Sequence, residues 1–304
     1  QTKENLTAEK DRSKVEIWNG NDKWIYPMEK IKGQFDKKLF LAAWSPSTGE
    51  VLPISSDTLP KVMLAGNDQY ALLSNPKAYE PQFDIEGPRD FYLRNLNTAE
   101  TKLILQKQLV SPMEIQPITS AGGKYISYFK DNNWQLYDIF AETHTNITDQ
   151  IKEPFYKEVT LGTNSPYGIA GWTTNDKEII LYDQYDIWVV KPDGSDFKRL
   201  TRGREKQIRF RILQSGFKNG LTDNYNGWSS SVIDISKALI LEAKGDDGKT
   251  GYFQLKANSK EVPIVYKPAF IDQFFVSGNK GNFIYKQQKF DQSPALMLKK
   301  QKTE

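Results

Sequence analysis

Short apolar runs alternate with turns rich in glycine, asparagine and aspartate along most of this chain, and one such arrangement occurs twice, 53 residues apart. The first copy comprises residues 122–128, 134–138 and 146–148, and the second comprises residues 175–181, 187–191 and 199–201. The two copies align without a gap, and each predicts a turn, a strand, a second turn, a second strand and a short closing strand. A repeat of ~40–50 residues made of short strands is typical of propeller blades. The pattern therefore predicts an all-β protein with a β-propeller fold.

Six units of this kind can be recognised, the first of them incomplete, and such units are expected to form four-stranded blades that stack face to face with their neighbours. The units cover about residues 35–58, 59–108, 109–150, 151–203, 204–266 and 267–304, after an N-terminal lead-in at residues 1–34 that includes inner strands of the first blade. A polar insertion at residues 75–89 separates two strands of the second unit. We expect a whole propeller or part of a larger ring of six to eight blades, with no catalytic domain in this chain.

The composition excludes several classes of protein. The 304 residues include 41 basic and 38 acidic ones, so the net charge of +3 gives no long-range field of the kind that nucleic-acid binding needs. No apolar run approaches the ~20 residues of a membrane-spanning helix. The chain contains no cysteine, which excludes disulfides and thiolate metal sites. We therefore expect no nucleic-acid partner and no membrane span, while the oligomeric state stays open.

Candidate catalytic groups are scarce. A serine-hydrolase triad needs a nucleophile in a G-x-S-x-G turn and a histidine base. The nearest pentapeptide, residues 227–231, ends in serine instead of glycine. His144 is the only histidine, and it falls in the outer turn of the third unit, at the position that Phe197 occupies in the fourth. We expect a surface histidine, and neither a catalytic residue, a metal site nor a cofactor in this chain.

Two pairs of carboxylates also deserve consideration as metal ligands or as an acid and base. Asp183 and Asp186 flank a strand connection, and Asp246 and Asp247 precede a glycine in a predicted hairpin turn. Aspartate and glycine are the residues that such turns favour for backbone reasons. We therefore expect both pairs to form turn or blade-to-blade hydrogen bonds.

A basic cluster is the one local anomaly in charge, and it consists of Arg202, Arg204, Lys206, Arg209 and Arg211. Arg209 and Arg211 alternate with apolar residues, as in a strand with one buried and one polar face. If this strand is an innermost one, both arginines line the central channel and attract peptide carboxylates. The alternative, a solvated face with ion pairs to neighbouring blades, is the interpretation we favour.

The seven tryptophans could form a surface that stacks on carbohydrate, but most of them fall inside strand patterns. We expect those to pack between blades. Trp228, among polar residues and a glycine, is the tryptophan expected to be exposed. With Arg209 and Arg211 it completes the set of candidate substrate or channel residues.

Several motifs resemble known propellers. Residues 185–194, followed by 199–201, resemble the repeat that TolB-like propellers share with those of prolyl oligopeptidases. Residues 15–28, 123–128 and 167–183 are more specifically similar to the propeller of large bacterial serine peptidases of the prolyl oligopeptidase family, which includes dipeptidyl peptidases. The resemblance covers most of residues 15–300, and residues 217–231 are its least typical stretch.

In that family the propeller precedes an α/β-hydrolase domain with a Ser-Asp-His triad, covers the active site and limits which peptides reach it. The resemblance therefore implies a propeller without catalytic residues, peptide substrates that reach a separate catalytic domain, and export to the periplasm or medium. It also implies a longer parent protein, since the family continues into the hydrolase domain where this sequence ends. The adjacent glutamates with which the dipeptidyl-peptidase branch holds a substrate amino terminus do not occur here.

Two alternatives remain open at this point. One is a stand-alone TolB-like propeller that binds or scaffolds proteins in the periplasm. The other is a propeller glycosidase or lyase, for which the sequence offers no convincing catalytic pair.

Overall fold

The computed structural model describes residues 18–21, 26–27, 30, 39–65, 68–79, 88–110, 116–160, 164–214, 221–223, 228–277 and 282–300. Strands dominate this part of the chain. They are β1 (Ala42–Trp44), β2 (Val51–Pro53), β3 (Lys61–Ala65), β4 (Tyr70–Ser74), β5 (Arg89–Asn95), β6 (Thr101–Gln108), β7 (Ile118–Thr119), β8 (Tyr125–Lys130), β9 (Asn133–Asp138), β10 (Thr143–Asn146), β11 (Tyr156–Lys157), β12 (Ser165–Pro166), β13 (Ile169–Trp172), β14 (Ile179–Tyr182), β15 (Ile187–Val190), β16 (Phe197–Arg199), β17 (Ile208–Ile212), β18 (Leu221–Asp223), β19 (Trp228–Ser230), β20 (Leu239–Gly245), β21 (Thr250–Leu255), β22 (Val262–Lys267), β23 (Phe270–Ser277), β24 (Asn282–Lys289) and β25 (Gln292–Lys299). Short 3-10 turns lie at Thr174–Asp176 and Arg204–Lys206.

The strands form a succession of antiparallel sheets. Among the described strands, three sheets have four strands each, in the orders β3-β4-β5-β6, β13-β14-β15-β16 and β17-β20-β21-β22, and a fourth sheet has the order β10-β9-β8-β7-β19-β18, in which β7–β10 form the four-stranded part. A three-stranded sheet, β23-β24-β25, follows them, and β1-β2 and β11-β12 are two-stranded. Successive four-stranded antiparallel sheets are the blades of a β-propeller, as the repeat predicted. No described helix is long and apolar enough to cross a membrane.

Equivalent hydrogen bonds appear in the two repeated units. In one blade the Trp134 amide donates to the hydroxyl of Thr148 over 3.0 Å. In the next blade the Ile187 amide donates to the hydroxyl of Thr201 over 3.1 Å. Trp134 and Ile187 are 53 residues apart in the sequence, and so are Thr148 and Thr201. The sequence repeat is therefore also a repeat of local structure. In each copy, a threonine that follows the outer strand accepts a hydrogen bond from an amide of the third strand.

Each of these sheets packs against the next along the chain. All four residues of β14 are buried, because its two faces meet different neighbours. Ile179 lies in the apolar cluster that contains Trp134 of the preceding blade. Ile180 lies in the cluster that contains Phe210 of the following blade. A strand covered on both faces needs a continuous apolar run, which explains why β14 and β15 show no alternation.

A carboxylate also joins two of the blades. Asp176, in the 3-10 turn before β14, is buried and accepts hydrogen bonds from the Ser120 hydroxyl (2.6 Å) and from the amides of Gly122 (2.7 Å) and Lys124 (3.1 Å). A Cβ on Gly122 would lie 2.8 Å from the Asp176 carboxylate, so a larger residue there would have to displace that carboxylate. The turn between β7 and β8 is thus held by a residue of the following blade.

The sheet β23-β24-β25 leaves one face uncovered in the described structure. Phe275 pairs with Ile284, which pairs with Leu298, so an apolar row crosses all three strands. Phe275 is 62% exposed, Leu298 is 58% exposed, and Leu296 nearby is 75% exposed. In a propeller such a face normally packs against another blade.

The prediction that most tryptophans pack between blades is correct for Trp134, Trp172 and Trp188, which are buried. It is wrong for Trp18 and Trp44, which are 63% and 65% exposed. Trp44 lies in the β1-β2 hairpin, where the residues of both strands are mostly exposed. The sequence pattern correctly predicted a strand at Trp44. It could not predict whether the side chain is buried, because burial also needs another sheet on this surface, and no described sheet covers it.

Candidate functional site

The chain between β17 and β20 approaches the first strands of two other blades. Its strand β19 extends the sheet of β7–β10, pairing in parallel with β7 through Ser229 and Thr119. Directly afterwards, the Trp172 amide of β13 donates to the Ser231 carbonyl (2.9 Å), and the Ile233 amide donates to the Trp172 carbonyl (2.7 Å). We call residues 228–235 the axial segment. Because the first strands of propeller blades surround the central axis, this segment lies on the axis side of two adjacent blades.

A glycine permits this close approach. Gly171, in β13, has φ +154°, and a Cβ there would lie 2.6 Å from the Ser231 carbonyl oxygen and 2.9 Å from the Ile233 side chain. The register of β13 with β14 also shifts between Ile169 and Gly171. The side chain of Ile233 is buried in the apolar cluster between this blade and the next. The axial segment is therefore anchored by both backbone and side-chain contacts.

The predicted alternation around the basic cluster is present in β17. Ile208, Phe210 and Ile212 are buried, whereas Arg209 is exposed and Arg211 is half-buried. Since β17 is the first strand of its sheet, it occupies the innermost position that the channel hypothesis requires.

The two arginines of this strand differ in their surroundings. Arg211 donates to the carbonyls of Phe210 (2.7 Å) and Asp183 (2.9 Å), and its guanidinium lies 4.5 Å from the centre of the Tyr182 ring. Burial lowers the pKa of Arg211 to about 10. The protein itself therefore occupies both terminal nitrogens of Arg211, and Arg209 is the cation of this strand that faces solvent.

Arg204, another residue of the basic cluster, contacts a buried carboxylate and so contributes to the structure. One of its terminal nitrogens lies 2.9 Å from the Asp183 carboxylate, which is fully buried. The same carboxylate oxygen accepts a hydrogen bond from the Trp188 indole over 3.0 Å. The other oxygen of Asp183 accepts from the amides of Tyr185 and Asp186.

Asp186 is likewise fully buried and surrounded by donors. Its carboxylate accepts from the hydroxyl of Thr201 (2.7 Å), from the amides of Gly203 and Arg204, and from the side chain of Arg199 (3.4 Å). Burial raises the pKa of Asp186, and the hydrogen bonds from Thr201 and Gly203 oppose that rise. The described residues contain no group of three or more side chains that could hold a metal ion. Asp183 and Asp186 therefore act as buried hydrogen-bond acceptors that fix the connection between β14 and β15, and we call this cluster the hydrogen-bonded corner.

The second carboxylate pair lies in the predicted hairpin turn, between β20 and β21. The Lys249 amide donates to Asp247 (3.1 Å), and Gly248 adopts φ +79°. Asp246 accepts a hydrogen bond from the Tyr185 hydroxyl (2.6 Å) and so links the turn to the preceding blade. Both aspartates thus make the turn and blade-to-blade contacts expected of them.

His144 lies in the outer strand β10, opposite Tyr137, as Phe197 lies opposite Val190 in the next blade. The residue is exposed overall, but its ring packs against the rings of Tyr128 and Tyr137, and its Nδ1 is 2.8 Å from the hydroxyl of Tyr128. The repeat predicted this surface position at the outer edge of the blade, but it placed His144 in a turn, and the residue lies in the outer strand.

We predict that an NMR titration of this single histidine gives a pKa below the usual 6.5, because partial burial and the nearby Lys130 disfavour the charged ring. The folded protein then binds this proton less readily than the unfolded chain, so the free energy of unfolding should decrease as the pH falls below about 6.5. Lys130→Gln should move the pKa back toward its usual value. A pKa above 6.5 in the unmodified protein would contradict this assignment of causes.

Trp228, the third candidate residue, begins β19 in the axial segment, but its side chain lies outside the part of the structure that is described. Its exposure stays a prediction. Sequence reasoning did not identify Gly171 or Ile233 as neighbours of this segment. A glycine inside an apolar strand was the available signal, since it often marks a bulge or a close backbone approach.

No family model and no curated protein sequence matches this chain. Among solved structures, the chain is similar to dipeptidyl peptidase 4 from Porphyromonas gingivalis, with a TM-score of 0.50 and 9% identity over 85% of this chain and 42% of the peptidase. The tricorn protease matches with a TM-score of 0.36 and 11% identity over 85% and 29% of the two chains. A putative TolB from Agrobacterium tumefaciens matches with a TM-score of 0.36 and 12% identity over 75% and 80%.

At such identities the similarity to dipeptidyl peptidase 4 concerns the fold alone. The chain spans less than half the length of that peptidase. Together with the sheet order, the similarity identifies this chain as a β-propeller domain.

Proposed function

We propose that this propeller is a non-catalytic domain of a prolyl oligopeptidase-like serine peptidase, and that it gates and filters the access of peptides to a separate α/β-hydrolase domain. The axial segment is the observation that carries this proposal. A propeller that covers an active site admits substrate only where its blades leave space, and a backbone segment on the axis side of two blades reduces that space. The motifs shared with the peptidase family support the same role.

Arg209 is the residue we propose to contact substrate in the channel. It is an exposed cation on a first strand, so it can attract the carboxylate at the end of a peptide. We propose that Arg211 helps to position this strand through the carbonyls it contacts. Trp228 is retained as a candidate contact because it lies in the axial segment.

The domain organisation is part of the same proposal. We propose that the blades occupy residues 35–58, 59–108, 109–150, 151–203, 204–266 and 267–304, with a lead-in at residues 1–34. Sheets β3–β6, β7–β10 and β23–β25 each fall within one of these units, which supports the division. The catalytic serine would belong to a domain outside residues 1–304, and the protein would be exported to the periplasm or medium.

A stand-alone scaffold propeller of the TolB-like kind is the second candidate. The uncovered apolar row on β23–β25 favours it, because contiguous exposed apolar surface often marks a protein interface. Co-purification of a stable partner with a protein that lacks any hydrolase domain would support this candidate over the first.

The filtering role predicts a dependence on peptide length. In the intact protein, kcat/KM should fall along a series of peptides that share one cleavable bond and grow in length, because longer peptides pass the narrowed channel less readily. Equal kcat/KM across the series would contradict the role as a filter.

The role of Arg209 can be tested separately. Arg209→Gln should lower kcat/KM about tenfold for peptides with a free terminal carboxylate, which corresponds to the loss of ~1.4 kcal/mol from one charge-assisted contact. The same peptides with a terminal amide serve as controls and should be unaffected. An equal effect on both sets would show that Arg209 does not bind the carboxylate.

A further inference from the structure

A cavity of about 380 Å³ lies between β16 and the turn that connects β21 to β22. Ile235, the last residue of the axial segment, and Arg199, which donates to Asp186, form part of its lining, but none of the candidate channel residues does. Cavities of a few hundred Å³ are the size at which small organic molecules bind. Its lining has an unusual composition.

Five of the twelve residues that line this cavity are basic, and none is acidic. The basic residues are Lys198, Arg199, Arg202, Lys256 and Lys260. The chain as a whole is almost neutral, with 41 basic and 38 acidic residues, so this concentration of one sign is local. A concave surface lined by charges of one sign concentrates ions of the opposite sign.

The cations differ in whether the protein already neutralises them. Arg199 pairs with Asp186 and Glu205, and Lys198 donates to the side-chain oxygen of Asn258 over 3.2 Å. Arg202, Lys256 and Lys260, in contrast, have neither an ion pair nor a hydrogen bond from their side chains to other described residues. Arg202 also attracts the Glu205 carboxylate, so its charge is partly offset, but the side-chain donors of all three residues are available to a ligand.

The remaining surface of the cavity is partly apolar. Leu200, Ile235, Leu239 and Leu255 contribute to it. Leu255 is buried, and the other three pack at the edge of the cluster between the two blades. A ligand that satisfies both parts of this lining has charged groups at one end and an apolar group at the other.

The walls are held in place by contacts of their own. Lys206 lies 2.5 Å from Glu261, a buried carboxylate directly after the β21-β22 turn. The turn itself is closed by a hydrogen bond from the Ser259 amide to the Lys256 carbonyl, and Asn258 adopts φ +55° within it. Lys256 and Lys260 are thus displayed on a defined turn.

We propose that this cavity binds a small organic polyanion, with two or more phosphate or carboxylate groups near Arg202, Lys256 and Lys260 and an apolar part against the leucines. This site is independent of the proposed peptidase function. Attraction between opposite charges contributes to this binding, so the affinity should decrease as the salt concentration rises.

Isothermal titration calorimetry of the protein with pyrophosphate, citrate, adenosine and ATP tests the proposal. ATP should bind more tightly than pyrophosphate or citrate, because it adds apolar contact, and adenosine alone should not bind. Comparing pyrophosphate with citrate distinguishes phosphate from carboxylate recognition. If none of the anions binds, the proposal is wrong.

Variants then locate the site. Arg202→Gln with Lys260→Gln should weaken ATP binding at least about tenfold, as the loss of two charge-assisted contacts implies. The charge-conserving pair Arg202→Lys with Lys260→Arg should retain most of the affinity. Lys152→Gln with Lys177→Gln removes two exposed lysines elsewhere and is the matched control. Equal loss in the control and the cavity variant would show diffuse attraction to the surface and would overturn the proposal.

Discussion

Replacing Asp186 by alanine should destabilise the protein by about 3–5 kcal/mol, the range found when one partner of a buried charged network is removed. The carboxylate is fully buried and accepts from Thr201, Gly203, Arg204 and Arg199. Alanine leaves the Thr201 hydroxyl and the amides of Gly203 and Arg204 without this acceptor, whereas Arg199 keeps Glu205, and unsatisfied buried donors are costly. The midpoint of urea denaturation measures the change.

Asp186→Asn is the matched control, and we expect a smaller loss. The equivalent position in the preceding blade is Asn133, whose side-chain oxygen accepts from Thr148 over 3.0 Å, as Asp186 accepts from Thr201. The asparagine side chain keeps an oxygen that can accept from the Thr201 hydroxyl. Its NH2 group would face the Arg204 amide, which is itself a donor, so that hydrogen bond is lost. If the alanine variant lies within ~0.5 kcal/mol of the unmodified protein, as neutral surface substitutions do, this corner does not stabilise the fold.

Replacing Gly171 by alanine should release the axial segment from β13. The new Cβ would meet the Ser231 carbonyl oxygen at 2.6 Å, and φ +154° is unfavourable for any residue with a Cβ. Strain of about 1–3 kcal/mol corresponds to roughly a five- to 150-fold shift in an opening equilibrium. Hydrogen exchange at the amides of Trp172 and Ile233 should accelerate accordingly, because these amides form the bonds between the two segments.

Gly168→Ala is the control for backbone strain. Gly168 also has a positive φ, +108°, but an added Cβ would meet only a carbon of Tyr182 at 4.0 Å and not the axial segment. In the Gly168→Ala variant, hydrogen exchange should change only near β13, and exchange at the Ile233 amide should be the same as in the unmodified protein. Unchanged exchange at Ile233 in the Gly171 variant would show that the segment does not depend on this contact.

The blades that repeat were predictable, because their information is local. The spacing of apolar runs identified β8 and β9 and the corresponding β14 and β15, and it placed His144 and Phe197 at equivalent positions. The turn chemistry of Asp246, Asp247 and Gly248 was equally local. Such features depend on residues that are close in the sequence.

The axial segment was not predictable for the opposite reason. It pairs in parallel with β7 and β13, whose residues lie more than 50 positions earlier in the chain, and its own residues carry no regular alternation. Only the glycine at position 171 hinted at a close approach. The polyanion cavity likewise depends on two blades, because Arg202 and Lys260 line the same cavity only when those blades pack together.

The exposure of Trp44 shows a related limit. A strand pattern predicts which residues alternate, but whether another sheet covers them depends on the surrounding architecture. The same holds for Phe275 and Leu298, whose apolar row has no cover among the described residues.

The proposal that this propeller serves a separate serine hydrolase is tested most directly by labelling the intact protein with a fluorophosphonate probe and mapping the modified serine by mass spectrometry. We predict stoichiometric labelling of one serine outside residues 1–304 and no labelling within them. An intact protein that stays unlabelled, or a label on a serine within residues 1–304, would contradict the account.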